Sequence, residues 1–332
     1  MRCAALAHGS ALFVPAALAA LVASTGACSS SSEGVATQTD GGGAEASVRD
    51  GGPGPGDATS SDAKAHDGAA SDASGGDAGA SDAQPAGDAA IGDGGWQLLW
   101  SDEFDEAGAP DPSKWTFTSL GTATSGPGWG IEYDSPGAVQ VSGGMLSITA
   151  TQGPDGGVVS GAIDSKGKFQ QAYGRFEARM KAPPGAGVWP AFWLMGDTNG
   201  QGWPTCGEID IVEIVGSAPK NAYGTVHSGN TSDASQNTAT GGIYTSPGAD
   251  LSADFHVYAV EWSASEADFY VDTDLYETIT PSTLTAGQLW AFDHAFYVLF
   301  DLAIGGSWAG PPTASTFPAP MLVDYVRVYR KE

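Results

Sequence analysis

The stretch Tyr173-Gly-Arg-Phe-Glu-Ala-Arg-Met-Lys181 sets the reading of the fold. Small or apolar residues (Gly174, Phe176, Ala178, Met180) alternate with polar ones (Arg175, Glu177, Arg179, Lys181). A period of two is the signature of a strand with one buried and one open face. Similar runs recur at Gln140–Ala150, Val188–Met195, Glu208–Val215, Tyr223–His227, Phe255–Trp262, Ala267–Val271, Phe296–Ile304 and Leu322–Tyr329. They are separated by Gly, Pro, Asn and Asp, and no long helical period appears between them. The expectation is an all-β antiparallel sandwich of two sheets. Within Val188–Met195, Trp189 and Trp193 share a face opposite Phe192 and Leu194. With the apolar faces turned inward, the other faces set tryptophans beside arginines and acids. Such a surface suits sugars, whose C–H faces stack on rings while their hydroxyls take hydrogen bonds.

The chain divides sharply in composition. Of its 32 aromatic residues only Phe13 precedes Trp96, and 12 of its 39 acids lie in that first part with only Arg2, Arg49 and Lys64 as bases. Residues 11–23 (ALFVPAALAALVA) form an uncharged apolar run behind Arg2. At about 13 residues it is shorter than the ~20 a spanning helix needs, and it matches the apolar core of an export signal. Residues 1–27 are therefore expected to be a signal peptide. Thr25-Gly-Ala-Cys28 resembles a bacterial lipobox, although Thr25 stands where that pattern usually has leucine. The resemblance implies acylation of Cys28 and a lipid anchor in a bacterial membrane, with a plain secreted product as the alternative.

Residues 28–95 read as an acidic tether. From Ser29 to Gly95 there is no aromatic, no Leu and no Met, so little apolar surface exists to offset backbone entropy. Asp57, Asp62, Asp67, Asp72, Asp77 and Asp82 recur every five residues, a spacing that matches neither helix nor strand. Residues 96–332 then form the one folded domain, expected to be a monomer. The formal charge of −26 argues against nucleic acid, which needs a basic face. Cys206 is the one cysteine inside the folded part, so no disulfide framework is expected, and a buried thiol suits it best.

The chemistry concentrates in Cys206-Gly-Glu208-Ile-Asp210-Ile-Val-Glu213. Three acids on one apolar strand disfavour one another's ionisation. Glu208 and Asp210 share a face by alternation, and Glu213 would join them only if a β-bulge intervened. With that bulge the two glutamates stand roughly 13 Å apart at the backbone. Side chains leaning together could then reach the ~5–5.5 Å separation of retaining glycosidases rather than the wider gap of inverting ones. One carboxyl must hold a proton and the other must be ionised, and the residues alone leave open which does which. A metal site is the less attractive reading, because the strand carries no histidine.

These residues resemble glycoside hydrolase family 16, in particular its bacterial laminarinase-type endo-β-1,3-glucanases. The landmarks are Leu99-Trp-Ser-Asp-Glu-Phe104, Ser165-Lys-Gly-Lys168, Trp189-Pro-Ala-Phe-Trp-Leu-Met-Gly196, Gly207–Glu213, Thr225-Val-His227, Phe255–Trp262 and Met321–Tyr329. The resemblance implies a β-jelly roll with a concave cleft and hydrolysis of internal β-1,3 or mixed β-1,3/1,4 glucan bonds with retention. By it Glu208 is the nucleophile, Glu213 the acid/base and Asp210 the helper, with Arg175, Trp189, Trp193, Trp203 and His227 along the sugar subsites. No cofactor is implied for the chemistry. A structural calcium held by Glu103, the Gly144 carbonyl and Asp324 is also implied. Relatives carry a longer loop where this chain has Gly128-Trp-Gly-Ile-Glu-Tyr133, and often asparagine where it has Asp301. The rivals are a non-catalytic β-glucan-binding protein on the same fold, and a relative acting on agar or xyloglucan or as a transglycosylase.

Overall fold

The computed structural model describes residues 95–120, 130–197 and 200–332. The expected export signal, Cys28, the expected acidic tether, Gly128 and Trp129 lie outside the described residues. In chain order the strands begin with β1 (Trp96–Asp102), β2 (Thr116–Thr118), β3 (Glu132–Asp134), β4 (Val139–Ser142), β5 (Met145–Gln152) and β6 (Val158–Ser160). Next come β7 (Ala162–Asp164), β8 (Gly174–Lys181), β9 (Val188–Gly196), β10 (Glu208–Glu213), β11 (Asn221–Ser228) and β12 (Thr238–Thr245). The last are β13 (His256–Trp262), β14 (Ala267–Val271), β15 (Asp274–Ile279), β16 (Phe296–Ile304) and β17 (Ala319–Lys331), with one short helix, α1 (Gly306–Ala309), before β17.

Two sheets result. One has ten strands in the order β15-β14-β13-β8-β17-β5-β6-β3, with β1 also on β17 and β4 on β5. The other has seven, in the order β12-β11-β10-β9-β16-β7-β2. Pairings are antiparallel except that between β3 and β6. The all-β sandwich expected from the alternation is the observed fold.

The core lies between the sheets, where every second residue of each strand points. Phe176 and Met180 of β8, Val260 of β13 and Val326 of β17 are fully buried. They belong to one cluster with Phe192 and Leu194 of β9, Ile209 of β10 and Phe300 of β16. Trp262 of β13 meets Phe296 of β16 edge-on at 5.0 Å, an aromatic contact across the two layers. Each such side chain contributes about 1.5–3 kcal/mol on burial.

The expected alternation of Tyr173–Lys181 holds, but its polar face does not adjoin the tryptophans of β9. β8 belongs to the ten-stranded sheet and β9 to the seven-stranded one. With both apolar faces in the core, the two polar faces lie on opposite outsides of the sandwich. Register between strands distant in sequence decided this, and alternation within one strand carries no information about it. β8 is pressed against β17 at its start: Gly174 has φ +119°, and a Cβ there would sit 2.1 Å from the Tyr329 carbonyl oxygen. Glycine is needed at that point.

Candidate active site

β10 starts immediately after Gly207, whose φ is +74° and where a Cβ would approach the Ala291 carbonyl oxygen to 2.6 Å. This sharp entry sets the direction in which Glu208 leaves the turn. Along β10, Asp210 pairs with Thr225 of β11 and Glu213 pairs with Tyr223, so one extra residue is accommodated between the acids. The same irregularity appears against β9, where Asp210 opposes Trp193, Val212 opposes Phe192 and Glu213 opposes Ala191. The extra residue has a plain cause. Ile211 and Val212 are consecutive yet both join the hydrophobic core, which a bulge permits. Burying both returns Glu213 to the face of Glu208 and Asp210.

The three acids meet His227, which stands opposite Glu208 on β11. His227 Nε2 lies 3.2 Å from Asp210 Oδ2, close enough for charge pairing although the angle is poor for a hydrogen bond. On its other side His227 Nδ1 faces the Asn237 amide, 3.1 Å from Nδ2 and 3.2 Å from Oδ1. Burial works against a charge on this imidazole, but Asp210, with Glu208 and Glu213 behind it, outweighs burial and holds the ring up to about 10. The acids thus favour the charged form of His227 beside Asp210.

Burial is also the main force on the two glutamates. It pushes Glu208 up to about 8, and Asp210's charge adds to the rise while His227 opposes it. Glu213 is likewise pushed well above the usual carboxylate range by burial and by Asp210. The cluster therefore retains a proton at neutral pH, and its titration belongs to the group rather than to one residue. A set of acids in which one carboxyl keeps its proton beside another that can ionise is equipped for acid–base and nucleophilic chemistry. Donor atoms of Glu208, Asp210 and His227 lie within 4.8 Å of one another, near enough to invite a cation. His227 already serves there as the charge partner of Asp210, 3.2 Å away.

Indoles surround the acids. Trp189 Nε1 donates to Glu213 Oε1 at 2.8 Å, and Trp193 Nε1 donates to Asp301 Oδ1 at 2.7 Å. Trp203 packs against His227 with ring centroids 6.5 Å apart. So Trp189, Trp193, Trp203 and His227 gather with Glu208, Asp210 and Glu213 on one face of the seven-stranded sheet. Arg175 does not join them. It lies on the outside of the ten-stranded sheet, bonded to Glu177 at 2.8 Å and to Glu261 at 3.0 Å.

The calcium donors implied by resemblance are also otherwise engaged. Glu103 binds Arg327 through both carboxylate oxygens, at 3.1 and 2.8 Å, and Asp324 pairs with Arg179 at 2.7 Å. Gly144 sits in the turn between β4 and β5. Two guanidinium groups already neutralise the acids a hard cation would need, so this set does not fit calcium as arranged. Cys206 is buried, with Sγ 3.5 Å from Met195 Sδ, and burial raises its thiol to about 11. That suits packing and not nucleophilic attack.

Two residues of this face gave no sequence signal. Trp308, on α1, contacts Trp189 and Tyr223 edge-on, each at 5.0 Å, and Asn237 holds His227. They come from a short helix and a loop, where no periodicity marks them.

With this geometry established, comparison with known proteins is informative. Residues 132–326 match the model of glycosyl hydrolases family 16. The beta-glucanase of Rhodothermus marinus is 40% identical over 252 residues, covering 71% of this chain and 85% of that protein. The keratan-sulfate endo-1,4-beta-galactosidase of Sphingobacterium multivorum is 34% identical, covering 71% of this chain and 55% of that protein. Among solved structures, the laminarinase catalytic domain of Thermotoga maritima superposes with a TM-score of 0.63 at 38% identity, covering 71% of this chain and 99% of that one. The chain belongs to glycosyl hydrolase family 16.

Proposed function

We infer that this protein is a retaining endo-acting glycoside hydrolase that cleaves internal β-1,3 or mixed β-1,3/1,4 bonds of glucans such as laminarin. The observation that carries the reading is the bulge at Ile211–Val212, which puts Glu208, Asp210 and Glu213 on one face with His227. Enzymes of this family need no cofactor for the reaction, and the residues account for it unaided. Glu208, as carboxylate, attacks the anomeric carbon while Glu213 gives its proton to the departing glycosidic oxygen. The product is a glycosyl ester on Glu208 and a free sugar end. Glu213, now a carboxylate, takes a proton from water as the water displaces Glu208 from the anomeric carbon. Asp210 and the His227 imidazolium set the charge around Glu208 during both displacements. Trp189 orients Glu213 through its indole N–H, and Trp193 and Trp203 offer ring faces to the sugars.

The decisive experiment measures reducing ends from laminarin and the anomer first formed. Release of the β-anomer by wild type, with none from Glu208→Gln, supports the reading. Release of the α-anomer first, or equal activity in the variant, overturns it. Binding of laminarin by wild type without cleavage would instead favour the glucan-recognition alternative.

The export signal and the acidic tether, read from composition alone, belong to the same proposal. The enzyme is exported and held by a lipid on Cys28 at a distance from the bacterial envelope, where it meets polysaccharide. Metabolic labelling with a palmitate analogue, lost in Cys28→Ala, tests the anchor.

A further inference from the structure

A second acidic group borders the catalytic one, and the proposed reaction leaves it unused. Asp301 lies on β16 opposite Ala191 of β9, which in turn opposes Glu213 of β10, so the three strands place Asp301 in one row with the acid/base. Its neighbours Phe300 and Leu302 are buried in the core, which turns the carboxyl to the catalytic face. Oδ1 accepts from Trp193 Nε1 at 2.7 Å, and Trp193 stands opposite Asp210. Among the described residues Oδ2 has no partner. Ala191, between Asp301 and Glu213, contributes only a methyl group there.

Resting on the glucanase reading above, we propose that Asp301 is a specificity-determining residue. Trp193 holds one carboxyl oxygen, and the other offers a hydroxyl proton to an oxygen of a neutral sugar lying over that indole.

The surroundings favour the uncharged form. Burial pushes the Asp301 carboxyl up to about 8; the Trp193 bond opposes this, and Glu132, Asp134 and Asp210 reinforce it. Glu132 and Asp134 of β3 and Asp210 of β10 lie near enough to act on it electrostatically, and Asp164 lies further along on β7, opposite Leu299. None of these is a cationic side chain. Glu132 is itself raised to about 7, by burial first, and is held by the Ile304 N–H at 2.9 Å. A carboxylic acid with one oxygen occupied offers an O–H donor where a carboxamide offers its NH2 group. Once ionised it offers none and adds charge beside the reacting acids. Binding of neutral sugar then depends on pH, a dependence that an asparagine at this position would lack.

The test uses the full chain in two backgrounds. In Glu208→Gln, the affinity for a β-1,3-linked glucose hexasaccharide is followed by tryptophan fluorescence from pH 6 to pH 9.5. In the active enzyme, KM and kcat are measured over the same range. We expect the Glu208→Gln parent to lose about tenfold in affinity across the range, the size of one hydrogen bond to a buried polar group. Adding Asp301→Asn should flatten the profile while staying within about threefold of the parent at pH 6, because the carboxamide keeps both contacts. Adding Asp301→Ala should weaken binding about tenfold at pH 6, with KM moving more than kcat. Wild type that releases no reducing ends from β-1,3-glucan would sink the glucanase reading. If wild type does cleave, an Asp301→Ala variant binding as tightly as its parent overturns the Asp301 assignment alone. So does an Asp301→Asn variant keeping the parent's pH dependence.

Discussion

The indole N–H of Trp189 donates to Oε1 of Glu213 at 2.8 Å across the β9–β10 pair. A hydrogen bond to the ionised form favours it, so this contact moderates the upward push that burial and Asp210 exert on Glu213. Trp189→Phe keeps the ring and deletes the donor. The alkaline limb of kcat/KM, set by loss of the acid's proton, should move to higher pH, and kcat should fall by about tenfold. An unmoved limb would show that the contact does not reach the catalytic proton.

Glu213→Gln should lower kcat by about 10²–10⁴ on polysaccharide. The loss should shrink on an aryl glucoside oligomer whose phenolate leaves without protonation. Equal losses on both substrates would remove Glu213 from the acid role.

His227 places a positive charge beside both glutamates and lowers the proton affinity of each. His227→Gln removes that charge and should move the acidic limb of the rate profile, where the nucleophile must ionise, to higher pH. A loss of activity at every pH with the limbs unchanged would make His227 a packing residue.

Stability should fall as pH rises. The folded value of His227, about 10 against 6.5, gives stability that is complete below 6.5 and is lost as pH climbs through 10. Glu132, Glu208 and Asp301 keep protons in the folded state to about 7, 8 and 8 that the unfolded chain releases near its ordinary values. The folded state therefore binds more protons over that interval, which gives the same sign. The melting temperature should drop by roughly 5–10 °C between pH 5 and pH 9.5, and a flat curve would contradict this.

Arg175→Ala should leave kcat/KM within about twofold of wild type, since the residue lies outside the catalytic face. It strips the buried Glu177 of its cation and should cost about 3–5 kcal/mol in urea unfolding. A selective rise in KM without loss of stability would return Arg175 to the sugar-binding set.

The strands that read clearly were those with a buried and an open face. β8, β9, β14 and β16 fall within a residue of the runs that alternation marked out. Gln140–Ala150, one run by pattern, is a hairpin of β4 and β5, because Gly143 and Gly144 at positive φ turn the chain between them. β12 escaped notice because Thr238–Thr245 carries two central glycines and little apolar alternation. It is held by its ladder to β11 rather than by a buried face.

The catalytic segment was legible for a local reason. Glu208, Asp210 and Glu213 share one strand, and the pair Ile211–Val212 within it demands a bulge wherever both must be buried. Spacing along a single strand thus pointed to paired carboxylates once a bulge is granted, while the role of each acid came from the family resemblance. Which residues surround that strand was decided by the sheets. Arg175 matches a sugar-binding motif yet pairs with Glu177 and Glu261 on the far side of the sandwich, while Trp308, Asn237 and Asp301 arrive from distant segments to face the acids. Alternation tells a side chain in from out relative to its own sheet, but which outer surface it then occupies depends on long-range strand pairing, and that belongs to the folded chain alone.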